Sequence, residues 1–363
     1  MSDRINILQN IVIELNRKPE SFSFPMCMAE LEQSQKKNKP NTQLKTKLES
    51  RRKLYKKFLA VSGIGFAFVF REDFPTINNP NHYQWFHTNA EDYIDYSMKF
   101  LGYDCDVIQG GSKEMRERIK ESIDRGFPVL AQISNREHWI VICGYNEESN
   151  TIISWIPQCL SIYFDKVTFG NVYDEKGLYC HADWEKEILR MVCIAEKSKD
   201  ILTLSQCVEH WISVMERKSH DGFLFGNEAY EGVIQFLSNE QFFQDIDNDG
   251  LIKTYRYLHE QTSLAEARCY TGSALMQNFA KMPDYSPDIK PQLEVIDRLF
   301  NDTHRKVWQY WAVIGNNHIP EPDEYAQRIK DASVREAMIK HFSLFKQNDN
   351  EVIGILKSIQ CKK

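Results

Sequence analysis

Two side chains in the first half of the sequence are of the types that nucleophilic catalysis requires. Cys27 lies two residues after Pro25, and proline is favoured at or near a helix start. We therefore expect Cys27 in the first turn of a helix, where unpaired backbone N–H groups and the helix dipole stabilise a thiolate. His138 directly precedes an apolar run at 139–145, so a strand would aim an imidazole that titrates near neutral pH. One interpretation of this pair of residues is a nucleophilic thiol and the base that takes its proton.

Both residues also have a structural interpretation. Free cysteine is among the most buried residue types and is usually inert. Glu30 and Glu32 follow Cys27 closely and would oppose a thiolate. A histidine before an apolar strand is often a strand-end residue with a satisfied hydrogen bond. The residues alone leave the two interpretations open.

The elements around His138 predict a sheet. Successive apolar runs lie at 128–133, 139–145 and 151–153, with turn residues at 146–150. A helix is expected at 113–125, and further strand or loop segments between 155 and 195. This order predicts an α+β domain over residues 1–200, with an antiparallel sheet packed by helices.

The pattern changes after residue 200. Apolar residues recur at helical spacing in the segments 203–218, 226–239, 250–281, 290–315 and 322–358. A second domain, an all-α helical bundle over residues 201–363, is therefore predicted. Residues 245–250 match the first half of a calcium loop, but Arg256 stands where a bidentate Glu is required. We expect a turn and helix cap there instead.

Two further stretches of the first 200 residues carry expectations. The basic stretch 36–57 has one acid, Glu49, among ten cations, and its apolar residues recur near helical spacing. It predicts an amphipathic helix with a solvated cationic face, with docking of an anionic partner as the minor alternative. Gly63 and Gly65 precede an aromatic run, which predicts a strand through the core of the first domain.

Composition excludes several classes of protein. The 363 residues are 42% hydrophobic, enough for sizeable cores. Nine cysteines without a CxxC pair argue against a disulfide framework and a zinc site, and favour a reducing cytoplasm. No apolar run approaches the roughly 18 residues of a membrane span, and no signal peptide is recognisable. The net charge of −6 argues against nucleic acid as a partner.

The motifs resemble those of a known family. The block of Pro128, Val129, Ala131, Ile133, His138-Trp139, Val141 and Gly144-Tyr145 is similar to the His block of papain-like cysteine hydrolases of the bacteriocin-leader-peptidase type. Further likeness lies in Ser62-Gly63 with Phe66 and Phe68, and in the segments 226–230 and 264–268. Together they resemble the family whose N-terminal domain is named after butirosin biosynthesis protein H, a papain-like domain followed by a helical domain.

The resemblance implies a bacterial biosynthetic enzyme. The namesake moves an amino-acyl group from a carrier-protein thioester to an amine. By this likeness Cys27 would be the nucleophile and His138 the base, and the partner would be an acyl carrier protein or a peptide substrate. Neither a metal nor an organic cofactor is expected, and neither nucleic acid nor a membrane is an expected partner. The oligomeric state does not follow from the sequence.

Two departures from the family pattern keep an alternative open. Residues 20–23 contain no Gln to complete an oxyanion hole, and Ile156 stands where relatives place the Asp or Asn that orients the histidine. Gln158, or else Asn146, would have to substitute. A triad without its orienting member loses several orders of magnitude in rate. The alternatives are a non-catalytic papain-like binding or assembly module, and a helical interaction protein capped by the N-terminal domain.

Overall fold

The computed structural model describes residues 5–8, 22–35, 44–74, 91–110, 112–134, 138–157, 171–172, 177–314 and 322–360. The chain forms two compact units. The sheet unit comprises Met1–Phe58 and Ile94–Ile201, and the helical unit comprises Leu59–Tyr93 and Leu202–Lys363. The expected division at residue 200 differs from this arrangement, because residues 59–93 belong with the helical unit.

The described elements alternate in the sheet unit and become almost entirely helical after residue 203. In chain order they are β1 (Ile5–Ile7), α1 (Ser23–Gln35), α2 (Leu44–Val61), β2 (Val69–Arg71), α3 (Glu91–Leu101), β3 (Tyr103–Gln109), α4 (Ser112–Asp124), β4 (Val129–Ile133), β5 (Trp139–Asn146), β6 (Thr151–Trp155), β7 (Asn171–Val172), β8 (Leu178–His181), α5 (Trp184–Glu187), β9 (Ile188–Lys197), α6 (Leu204–Met215), β10 (Phe223–Phe225), α7 (Gly226–Leu237), α8 (Glu240–Asp245), α9 (Asn248–Asn278), α10 (Lys290–Ile314), α11 (Pro322–Arg328) and α12 (Ala332–Gln360). The predicted mixture of helices with an antiparallel sheet, followed by a helical region, is confirmed.

β5 is the central strand of the sheet unit. The strand order is β3-β9-β4-β5-β6-β8-β7, and every pairing is antiparallel. β4 pairs with the first half of β5, and β1 pairs with the second half, along the same edge. β5 is therefore paired along both edges from Val141 onward, and its first two residues pair with β4.

The two faces of the sheet pack against different helices. Met115, Ile119 and Ile123 of α4 pack in one core cluster with the odd-numbered residues of β4. Neighbouring residues of a strand point to opposite faces, and cross-strand partners point to the same face. Gln132 pairs with Trp139, whose ring contacts Phe24 of α1. The face of the sheet that carries Gln132 and Trp139 is therefore the one on which α1 packs.

A buried arginine organises the helical unit. Arg268 of α9 is fully buried and donates hydrogen bonds to the carbonyl oxygens of Gly65 and Ala67, at 2.9 and 2.7 Å. Its guanidinium also pairs with Asp349 at 2.7 Å, and the Tyr230 hydroxyl donates to the same carboxylate at 2.8 Å. A guanidinium carries donors only, so it needs such acceptors when it is buried. These bonds are one reason why the stretch after residue 59 belongs to the helical unit.

The aromatic run after Gly65 lies in the helical unit and not in the first domain, where the sequence predicted it. It forms a 3-10 turn at Ile64–Phe66 and then β2, which pairs with β10 of the helical unit. A Cβ atom at Gly65 would lie only 1.8 Å from the Thr271 hydroxyl oxygen, so the close approach of this turn to α9 requires glycine. Hydrophobicity predicted a buried strand, but not the unit in which it would lie.

The start of α9 and the composition of the helices bear on two further expectations. Asp247 caps α9 and accepts a hydrogen bond from the Gly250 N–H at 2.8 Å, which confirms the turn and helix cap. Among the helices that the structure describes, none combines the length and apolar composition that crossing a membrane requires.

Candidate functional site

Cys27 lies in α1, but one turn further along than the sequence predicted. α1 begins at Ser23, which makes Cys27 its fifth residue. Only amides of the first turn lack a partner within the helix, so the prediction of a first-turn cysteine was wrong. Pro25 falls in that first turn, where its missing N–H loses no helical hydrogen bond. The Cys27 side chain is fully buried.

The first turn of α1 is attached to the first residue of β5. The Trp139 N–H donates a hydrogen bond to the Ser23 hydroxyl at 3.0 Å. The rings of Phe24 and Trp139 form an edge-on pair with centroids 5.2 Å apart. Residues four apart share one face of a helix, so Cys27 lies on the face of α1 that carries Ser23. The structure thus brings the helix of Cys27 onto the strand that His138 precedes.

His138 is buried at the end of β5 and bonds to a main-chain oxygen. Its Nε2 lies 3.3 Å from the carbonyl oxygen of Pro157, just beyond β6. Its own carbonyl accepts the Ile133 N–H at 2.8 Å. Both the ring and the backbone of His138 therefore have defined partners.

Of the two residues expected to orient His138, the structure describes only Asn146, and it does not lie beside His138. Gln158 lies outside the described residues. Asn146 is at the opposite end of β5, about 25 Å away along a strand that rises about 3.3 Å per residue. Its side-chain oxygen accepts the N–H groups of Glu148 and Ser149 at 3.0 and 3.3 Å. Asn146 therefore stabilises the turn after β5 and does not orient His138.

The two glutamates after Cys27 are paired with cations of α2. Glu30 is fully buried and lies 2.6 Å from Arg51, and Glu32 pairs with Lys57. Such pairing offsets the negative charge that would oppose a thiolate at Cys27. The predicted solvated cationic face is wrong for Arg51 and Lys57, which are buried. Their helical spacing is visible in the sequence, but their partners on α1 are not.

Gln132 is a buried polar residue on the α1 face of the sheet that the sequence did not single out. It is fully buried in β4, opposite Trp139 and on the face where α1 packs. Its other cross-strand partner is Arg190 of β9, which is also buried. In the sequence, Gln132 could have been recognised as the single polar residue within the apolar run Val129–Ile133. The amide group of a glutamine can donate a hydrogen bond to a developing oxyanion.

A second buried pair of side chains lies on the other face of the sheet. The Ser154 hydroxyl and His181 Nε2 are 2.7 Å apart, on neighbouring strands β6 and β8. Ser154 alternates with Ile153 and shares its face with Ile152, which packs in the α4 cluster. Burial lowers the pKa of His181 to about 3. So weak a base does not activate a hydroxyl at neutral pH, and this pair links two strands.

Several other cysteines are poor nucleophiles. Burial raises the pKa of the Cys105 thiol to about 12 and that of Cys193 to about 11, and it also raises the pKa of Cys207. These thiols stay protonated at neutral pH. Within the described residues, no group of three or more His, Cys, Asp or Glu side chains could hold a metal ion.

Comparison with known proteins leaves the family of this chain open. No protein-family model matches the sequence. No curated protein matches it significantly either.

Proposed function

We propose that the sheet unit is a papain-like, cysteine-dependent acyl-transfer enzyme in which Cys27 is the nucleophile and His138 the base. The observation that supports this most is the attachment of α1 to the start of β5 through Ser23 and Trp139. Nucleophilic catalysis by a thiol needs a base within hydrogen-bond reach, and this attachment places the two elements together.

The reaction has two stages. The His138 imidazole takes the Cys27 thiol proton, and the sulfur attacks the carbonyl carbon of a thioester, amide or ester. The tetrahedral oxyanion collapses, the bond to the leaving group breaks, and that group receives the proton from His138. An amine or water then attacks the acyl-Cys27 thioester, giving its proton to His138. Release of the acyl product returns that proton to the Cys27 sulfur.

The oxyanion of each stage needs hydrogen-bond donors. α1 offers the amides of its first turn, and β4 offers the Gln132 side chain on the face of the sheet where α1 packs. Removing a single oxyanion donor typically lowers kcat about 10²–10³-fold. Gln132 would thus fill the role for which the sequence before Cys27 has no residue.

The proposed acyl donor is an extended group presented by a carrier protein or a peptide. Cys27 and His138 are both buried, which favours a slender donor over a bulky one. A phosphopantetheine arm and an extended peptide both have that form. An amine acceptor makes the enzyme a transferase, and water makes it a hydrolase.

The test measures acyl release from a panel of aminoacyl thioesters, carrier-bound thioesters and peptides. We expect Cys27→Ala to abolish turnover and the acyl mass to appear on the Cys27 peptide of the wild-type chain. His138→Gln should lower turnover about 10²–10⁴-fold. Cys180→Ala is the matched control, a half-buried cysteine of β8, and should keep full activity. Unchanged turnover in Cys27→Ala would exclude the mechanism.

The complete burial of Cys27, in the second turn of α1, favours one other function. As a non-catalytic module, the same unit would bind a peptide or carrier arm without acyl transfer. Wild type and Cys27→Ala would then bind the ligand with equal affinity, and the wild type would form no acyl adduct. An adduct on Cys27 that turns over excludes this alternative.

A further inference from the structure

We infer that the backbone carbonyl of Pro157 orients the His138 imidazole and fixes Nδ1 as its basic nitrogen. A carbonyl oxygen only accepts hydrogen bonds, so His138 Nε2 must carry the proton at their 3.3 Å contact. In the neutral ring the lone pair then lies on Nδ1. The inference rests on the proposed function, because it assigns the group that positions the base.

The Pro157 carbonyl lies just beyond a strand that is paired on both sides. β6 pairs with β5 on one side and with β8 on the other, and Pro157 follows its last residue by two positions. The proline ring restricts its own φ to about −65°. Pro157 and His138 are both buried, and a hydrogen bond shielded from water is stronger than an exposed one.

A main-chain acceptor accounts for the departure at Ile156. An isoleucine has no group that can orient an imidazole, but the carbonyl of the next residue does so in its place. The carbonyl is neutral, so it sets the tautomer and direction of the ring without adding a negative charge beside the imidazolium. By this inference the main chain orients His138, and we expect Gln158 to be dispensable for that orientation.

The helical unit contains a histidine held in the same way. His210 Nε2 lies 3.0 Å from the carbonyl oxygen of Ser62, and the His210 ring is buried. The same reasoning assigns it the tautomer with the proton on Nε2. His210 provides an internal reference for the spectrum of His138.

The test is a long-range proton–nitrogen correlation spectrum of the full chain labelled with ¹⁵N-histidine, recorded above the pH at which histidines titrate. His138→Gln identifies the His138 signals by their loss. We expect a protonated Nε2 and an unprotonated Nδ1 for His138, with the pattern matching that of His210. A protonated Nδ1 on neutral His138 would overturn the inference.

Gln158→Ala separates the main-chain acceptor from the side chain that the sequence suggested. We expect the His138 tautomer to be unchanged and turnover to stay within about 2-fold of wild type. A changed tautomer, or a loss of more than about 10-fold in turnover, would assign the role to Gln158 instead. The spectrum needs no substrate, so it can fail independently of the acyl-transfer test with Cys27→Ala.

A second variant makes the Pro157 carbonyl a weaker hydrogen-bond acceptor. Replacing the residue after Pro157 by its α-hydroxy acid converts the amide to an ester, whose carbonyl is a poorer acceptor. Turnover should fall about 10-fold, relative to a chain with glutamine introduced at 158 by the same method. Full activity together with a mixed His138 tautomer would show that Pro157 does not position the base.

Discussion

Trp139 donates its backbone N–H to the Ser23 hydroxyl at 3.0 Å, which ties the first turn of α1 to the first residue of β5. Ser23→Ala removes this acceptor and should lower acyl-transfer turnover about 10-fold, since small misplacements of a reacting group have large effects. It should also lower the free energy of unfolding by about 1 kcal/mol. Ser34→Ala is the control, because the Ser34 hydroxyl bonds to the Leu31 carbonyl of its own helix. Equal turnover in the two variants would contradict the positioning role of Ser23.

The buried pair of Glu30 and Arg51 predicts a large loss of stability when one partner is neutralised. Their side chains are 0% and 5% exposed, so Glu30→Gln removes a negative charge that is paired with a buried guanidinium. We expect a loss of about 3–5 kcal/mol in denaturant unfolding. Asp183→Asn is the control, because its pair with Lys186 is exposed and such pairs contribute about 0–1 kcal/mol. Similar small losses of unfolding free energy in both variants would show that the buried pair does not stabilise the fold.

Two buried tyrosines of the helical unit should respond in opposite ways to loss of their hydroxyl groups. The Tyr230 hydroxyl donates to Asp349 at 2.8 Å, whereas the buried Tyr310 hydroxyl has no hydrogen-bond partner within the described part of the chain. Tyr230→Phe should destabilise by about 1.5–3 kcal/mol, the range for bonds to charged groups. Tyr310→Phe should be neutral or slightly stabilising. Denaturant unfolding of both variants measures these stability changes. A destabilised Tyr310→Phe would indicate a further hydrogen-bond partner of the Tyr310 hydroxyl.

Two buried histidines predict a loss of stability in acid. Burial lowers the pKa of His181 to about 3 and that of His259 to about 4, against about 6.5 in an unfolded chain. Below pH 6.5 the unfolded chain therefore binds protons that the folded chain excludes. Each histidine should contribute a loss of about 1.4 kcal/mol per pH unit as the pH falls from 6.5 toward its folded pKa.

His181→Asn isolates one of these contributions, because its amide can still bond to Ser154. Thermal or denaturant unfolding is compared at pH 7 and pH 5 for wild type and variant. The wild type should lose about 2 kcal/mol more than the variant over that interval. Equal losses would mean that His181 is not held neutral in the folded chain.

Local patterns in the sequence were sufficient to locate most elements. The apolar runs around His138 became β4, β5 and β6, and the helical spacing after residue 203 became the long helices. The cap at Asp247 followed from one side chain and its nearest neighbours. Such elements depend on interactions between residues close in sequence, which a single sequence displays.

Long-range pairings could not be predicted in this way. The start of α1 differed by one turn from the prediction made for Cys27, because Ser23 and Phe24 are held by contacts with Trp139 over a hundred residues away. The cations of α2 showed a helix but gave no sign that Arg51 would be buried against Glu30. Likewise, no local feature of Ile156 indicated that the next carbonyl would meet His138.

The sequence by itself determined the cysteine and histidine on which the proposed catalysis depends, and the alternation of strands and helices that carries them. Tertiary structure alone decided which buried groups meet: α1 with β5, His138 with Pro157, and Arg268 with the carbonyl groups of Gly65 and Ala67. The physical reason is that a buried polar group must find a hydrogen-bond partner wherever the chain brings one close. That partner is selected by the packing of distant segments, which no short stretch of sequence records.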